Sequence, residues 1–185
     1  MAELSGRPRA VGRVAILVSR YHERVTGRLL EGAWQCCRKA GLADAAVDVI
    51  WVPGAFELGV AAEAAARTGR YACLIALGVV VRGETSHFDY VAGETARTLA
   101  AVAREHALPV GFGLLTTDTM QQALDRAGGT VGNKGYEAAE AALAMADLVE
   151  QLIGPSRRSE RLERSEESEH RRRSDSSDPS DSSDR

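Results

Sequence analysis

The sequence has 185 residues, 44% of them hydrophobic, and a formal net charge of −3. That size and apolar content suit one α/β domain with an appendage, and the absence of a basic stripe on the apolar part argues against nucleic acid as the main partner. No apolar run is long enough to span a bilayer, the first ten residues lack the apolar core of an export signal, and Cys36, Cys37 and Cys73 show no metal-ligand spacing, so the expectation is a soluble cytoplasmic protein with free thiols and no metal.

After an N-terminal arm, residues 1–12, the segment Arg13 to Ser19 is short and nearly all apolar, as for a strand buried on both faces. Val25 to Ala40 follows with helical spacing at Leu29, Leu30, Ala33, Trp34 and Cys37, and Gly41 stands where a glycine would end it. Val47 to Val52 is a second strand, closed by Pro53-Gly54. Alanine-rich Glu57 to Thr68 is a helix stopped by Gly69. Cys73 to Val81 is the most apolar strand and belongs mid-sheet.

Asp89 to His106 is the next helix. Val110 to Thr116 is a fourth strand, whose Gly111 and Gly113 imply close approach of another group. Thr119-Met120-Gln121-Gln122 fits a capping box, so a short helix starts there and ends near Gly128-Gly129. A last helix runs from Tyr136 to Leu152. Beyond Pro155 the chain is Ser, Arg, Glu and Asp with Leu162 as the one aliphatic residue; composition reads 155–185 as a disordered tail, leaving 13–154 as the folded domain. Alternation of strands and helices implies a central parallel four-stranded sheet with helices on both faces, a three-layer αβα sandwich.

In such sheets ligands bind beyond the carboxyl ends of the strands. Three loops there carry an unusual share of the polar and aromatic side chains: Arg20 to Glu23, Gly54 to Glu57 and Arg82 to His87. Gly83 is read as permitting a tight turn, with the backbone N–H groups of Glu84 and Thr85 forming an anion seat at a helix N-terminus and His87 beside it as a proton carrier. Phe56 offers a flat apolar surface, while Glu57 would favour a helix start in any role. Arg126 ends a short helix, and Lys134 lies in the glycine-dense stretch Gly128 to Gly135. A helix-ending Arg is the blander reading of Arg126, and the glycine spacing matches neither a dinucleotide fingerprint nor a P-loop.

Taken in order, Val52-Pro53-Gly54-Ala55-Phe56-Glu57, the segment Gly83 to Val91, Pro109 to Thr116, Arg126-Ala127-Gly128 and Gly132-Asn133-Lys134-Gly135 resemble the 6,7-dimethyl-8-ribityllumazine synthase family, from about Arg13 to Ile153. The resemblance implies a flavodoxin-like fold. It implies an enzyme that condenses 5-amino-6-(D-ribitylamino)uracil with 3,4-dihydroxy-2-butanone 4-phosphate, losing phosphate and water, in riboflavin biosynthesis. No cofactor is implied. By motif, His87 would transfer protons, and Glu84, Thr85 and Arg126 would hold the phosphate substrate. Tyr21, Ala55, Phe56, Glu57, Val79, Val80 and Val81 would hold the pyrimidine and ribityl chain. Phe112 and Lys134 would come from an adjacent subunit of a pentamer, a unit that members stack as decamers or close into sixty-subunit capsids; riboflavin synthase is a further implied partner. Two departures stand out: Tyr21 and His22 replace the usual Phe or Trp followed by Asn, and Gly59 replaces a common Pro.

Overall fold

The computed structural model describes residues 1–175, with side-chain packing through residue 154; residues 176–185, the end of the tail read from composition, lie outside the described residues. The elements are β1 (Val14–Ser19), α1 (Glu23–Lys39), β2 (Val47–Val52), α2 (Leu58–Arg67), β3 (Cys73–Val81), α3 (His87–Glu105), β4 (Val110–Thr117), α4 (Met120–Arg126), the two-stranded hairpin β5 (Ala127–Gly129) and β6 (Gly132–Asn133), and α5 (Lys134–Asp175). β1 to β4 form one parallel sheet in the order β2-β1-β3-β4, with Ile16 paired to Val49 on one side and Ile75 on the other. β3 is central, as its apolar composition implies. The β5–β6 hairpin was not legible in the glycine-dense stretch it occupies.

Two cores sandwich the sheet because side chains alternate across it. Val14, Ile16, Val18, Ile75 and Leu77 face Leu29, Ala33, Ala139 and Leu143 of α1 and α5. Ala15, Leu17, Leu74 and Ala76 face Leu58, Ala62, Leu99 and Val102 of α2 and α3. Each fully buried aliphatic side chain of this kind contributes about 1.5–3 kcal/mol relative to exposure. The αβα layering follows from that alternation.

Local chemistry ends the helices where the sequence implies. Gly41 (φ 88°) donates its N–H to Arg38 O at 3.0 Å and Leu42 donates to Cys37 O at 3.1 Å, the paired bonds of a glycine-stopped helix with buried Leu42 behind it. At α4, Thr119 Oγ1 accepts from Gln122 N at 3.2 Å, but Gln122 Oε1 accepts in return from Asp118 N at 3.0 Å, one residue earlier than a standard capping box. A Cβ on Gly59 would meet Thr98 Oγ1 at 2.4 Å, so this glycine lets α2 lie against α3.

The arm folds back on α5. Asp147 is buried and accepts from Arg7 N at 2.8 Å and Arg9 Nε at 2.6 Å, and the Arg7 N–H, with Arg9, holds its carboxyl below the usual range. α5 carries one non-helical residue, Gly154 (φ 72°, ψ 159°), just after the last helix expected from sequence. Helical backbone then continues to Asp175, over a stretch that composition reads as disordered because it has nothing to bury. In the sequence, Glu160, Glu167 and Glu169 stand four residues before Arg164, Arg171 and Arg173, a spacing that favours helix.

Candidate active site

The strand order makes the crevice between β1 and β3 the point where the chain turns from one side of the sheet to the other, the usual ligand position in such folds. A hollow of about 630 Å³ opens there. It gathers Tyr21 and His22 after β1, Ala55, Phe56 and Glu57 after β2, and Val79, Val80, Val81, Thr85 and His87 at and after β3. Gly54, Gly83, Phe88, Tyr90 and Val91 complete the lining, the last four of them not expected from the sequence as ligand contacts.

The chain holds these groups open rather than packing them. Tyr21 is 66% exposed and Phe56 56% exposed, although most large apolar side chains are buried. Backbone bonds fix their position: Arg20 N to Val52 O at 2.8 Å and Tyr21 N to Pro53 O at 3.1 Å carry the β1–β2 pairing past the strand ends. His22 then adopts φ 60°, ψ 45°, left-handed, and its carbonyl accepts from Val25 and Thr26 as α1 begins. Asn, Asp and His are the non-glycine residues that tolerate this backbone best, which gives a physical reason for a His where Asn is usual. The edge of its ring meets Tyr21, with centroids 4.6 Å apart.

At the other wall, α3 begins at His87 without a side-chain cap. Among the described residues the backbone N–H groups of Glu84 and Thr85 find no acceptor, and the His87 imidazole has no partner; the His87 N–H reaches Thr85 Oγ1 only at 3.4 Å. Unused donors at the start of a long helix, beside a free imidazole, suit an anion that exchanges protons. Glu84 is not among the residues that line the hollow. The expected reason for Gly83 is corrected: its φ is not left-handed and a Cβ would meet nothing within 4 Å, so the turn does not require glycine and the space it leaves faces the hollow.

Three of the residues singled out in the sequence are elsewhere. Phe112, Arg126 and Lys134 line a second, larger groove of about 930 Å³ between β4 and α5. Arg126, grouped by sequence with the Thr85 anion seat, is therefore placed with Phe112 and Lys134 and does not line the His87 hollow. Within the chain Arg126 Nη1 donates to Gln122 O at 3.0 Å, the helix-ending contact, and Lys134 Nζ pairs with Glu137 at 2.6 Å. The close approach implied by Gly111 is that of α5: a Cβ there would lie 2.2 Å from Ala138 O.

Thiol chemistry is set aside by burial, which pushes Cys36 up to about 11 and Cys37 up to about 12. Among the described residues no group of three His, Cys, Asp or Glu side chains could hold a metal ion, and no helix is long and apolar enough to cross a membrane.

A switch-point hollow with open aromatic faces, an unpartnered imidazole and free backbone donors defines an α/β protein built to act on small, ring-bearing and anionic molecules. The family model for 6,7-dimethyl-8-ribityllumazine synthase matches residues 12–150. A 6,7-dimethyl-8-ribityllumazine synthase of Gemmatimonas aurantiaca is 51% identical over 154 residues, covering 83% of this chain and 94% of that protein. The chain belongs to the 6,7-dimethyl-8-ribityllumazine synthase family.

Proposed function

We propose that this transferase forms 6,7-dimethyl-8-ribityllumazine from 5-amino-6-(D-ribitylamino)uracil and 3,4-dihydroxy-2-butanone 4-phosphate in a site shared between two copies of the chain. The observation that carries the reading is the free imidazole of His87 beside the unused N–H groups of Glu84 and Thr85. The phosphate group sits on those donors, where the field of the α3 N-terminus favours negative charge. Tyr21 and Phe56 sandwich the pyrimidine, their exposed faces recovering apolar contact on binding. Val79, Val80 and Val81 offer backbone groups to its polar edge, and Ala55 and Glu57 hold the ribityl chain.

The chemistry asks for little nucleophilic help, because the pyrimidine's own amine attacks the ketone. Imine formation releases water, phosphate leaves as the neighbouring C–H loses its proton, and the ribityl-bearing nitrogen closes the ring with loss of a second water. Each step moves a proton near one place. His87 can accept and return those protons, while most of the acceleration comes from holding two reactants together.

A second copy completes the site. Phe112, Arg126 and Lys134 stand in the groove beside β4, an edge strand of the sheet, and Ala138, Ala142 and Met145 give that groove an apolar wall. A neighbour's hollow docked against it would receive Phe112, Lys134 and the Arg126 phosphate clamp. Such a head-to-tail contact closes into a ring, here a pentamer, and the short β5–β6 hairpin leaves room for decamers or sixty-subunit capsids. We place the reaction in the cytoplasm, in keeping with three free buried thiols, with riboflavin synthase as the consumer of the product.

Mixing purified protein with both substrates and following lumazine absorbance tests the reading. Product formation well above the uncatalysed rate is expected. Tight ligand binding with no such increase would contradict it and identify a binding shell that has kept the fold.

A further inference from the structure

Arg82 does not line the hollow, yet it sits at the root of the loop that carries the anion seat. Its backbone is fixed: Arg82 N donates to Thr117 O at 2.8 Å, one step past the end of the β3–β4 ladder. Its side chain then turns back over the loop. The guanidinium lies over the Phe88 ring at 4.0 Å, Nη2 reaches Asp89 Oδ1 at 3.3 Å, and Nε reaches Asp118 Oδ1 at 3.2 Å. Gly83 to His87 is thereby closed into a ring, from Arg82 at its start to Phe88 and Asp89 at its end, and tied to the loop before α4.

We propose that Arg82 is a positioning residue for the reaction: it fixes the Gly83-to-His87 loop so that the free N–H groups and the His87 imidazole face the same point of the hollow. Two carboxylates already occupy its charge, so it is not itself a phosphate ligand. Any one of these exposed contacts is weak alone. Their common centre on a planar, forked group is what restrains the loop, and lysine could supply neither the stack nor both pairs. Small misplacement of reacting groups is costly in rate, which gives a weak surface network leverage over turnover.

The inference rests on the proposed site, and the test is steady-state kinetics on the full-length assembled protein with both substrates varied. Arg82→Met is expected to lower kcat/KM for the phosphate-bearing substrate by about tenfold, with less than about a twofold change in KM for the pyrimidine. Asp89→Asn/Asp118→Asn, which leaves Arg82 in place without its anchors, should reproduce that loss, and adding Arg82→Met to it should cost little more, since the three residues act as one unit. Arg82→Lys should resemble Arg82→Met. Inhibition by inorganic phosphate should weaken in parallel in each variant, and if Arg82→Met fails to assemble, the isosteric carboxylate variants still decide the matter.

Full activity in Arg82→Lys would overturn the proposal. So would a loss in Arg82→Met that the Asp89→Asn/Asp118→Asn protein does not share, which would mark Arg82 as a direct phosphate contact. Inactive wild-type protein would instead defeat the proposed function, so the two failures are distinguishable.

Discussion

Two short glycine-bearing motifs carry much of the family resemblance, and the structure uses them in opposite ways. Gly83 to His87 keeps several of its groups unused: among the described residues the glycine has open space, the N–H groups of Glu84 and Thr85 have no acceptor, and the His87 imidazole has no partner. Gly132 to Gly135 uses almost everything within its own chain. Asn133 Oδ1 accepts from Gly135 N at 2.9 Å and Tyr136 N at 3.2 Å to cap α5, and its Nδ2 donates to Arg28 O at 2.8 Å on α1. A Cβ on Gly135 would lie 2.0 Å from Leu29 O. One motif leaves its donors open, while the other clamps two helices and leaves Lys134 lining the groove beside β4.

The sharpest way to break this contrast is to add one methyl group to each glycine. Gly135→Ala must push α5 away from α1 and should destabilise the fold by about 3 kcal/mol, read by thermal or denaturant unfolding. If it unfolds like the wild type, the clamp is not real. Gly83→Ala meets nothing in the chain and should leave unfolding within about 0.5 kcal/mol. It should nonetheless weaken use of the phosphate substrate about tenfold, because the methyl group enters space that the anion needs. Equal substrate kinetics in Gly83→Ala and wild type would show that the ligand does not approach there.

His22 provides the mildest test. Its left-handed backbone is tolerated by Asn, so His22→Asn should keep stability within about 0.5 kcal/mol, whereas His22→Val, β-branched, should lose about 1–2 kcal/mol. Equal stability of the two variants would mean that the turn after β1 does not depend on this conformation. A change in turnover with unchanged stability in His22→Asn would assign the imidazole a role of its own in the hollow.

Much of this was legible in the sequence because it depends on local rules. Buried runs such as Cys73 to Val81 declare a parallel sheet, Gly41 and Gly69 declare helix ends, and the position of loops after strands declares the ligand edge. What was not legible depends on distance through space. Nothing along the chain shows that Gly135 lies against Leu29, or that Asn133 joins α1 to α5, so that motif had no physical content until the helices were packed. The joining of Arg82, Asp89 and Asp118 was hidden for the same reason: Arg82 follows β3 and Asp118 follows β4, so their link exists only once the two strands pair. Arg126 lies apart from Thr85 and His87 within the chain, and one sequence cannot say which copy of a chain a residue serves.

On the proposed roles of His87 as proton carrier and Arg126 as phosphate clamp, His87→Asn and Arg126→Met proteins should each be nearly inactive alone. If the site is shared between neighbours, unfolding and reassembling the two in equal amounts should restore about one quarter of wild-type lumazine synthesis, the fraction of contacts that pair an intact hollow with an intact Arg126. Mixed assemblies no more active than the sum of the two parents would contradict the shared site and confine the chemistry to a single chain.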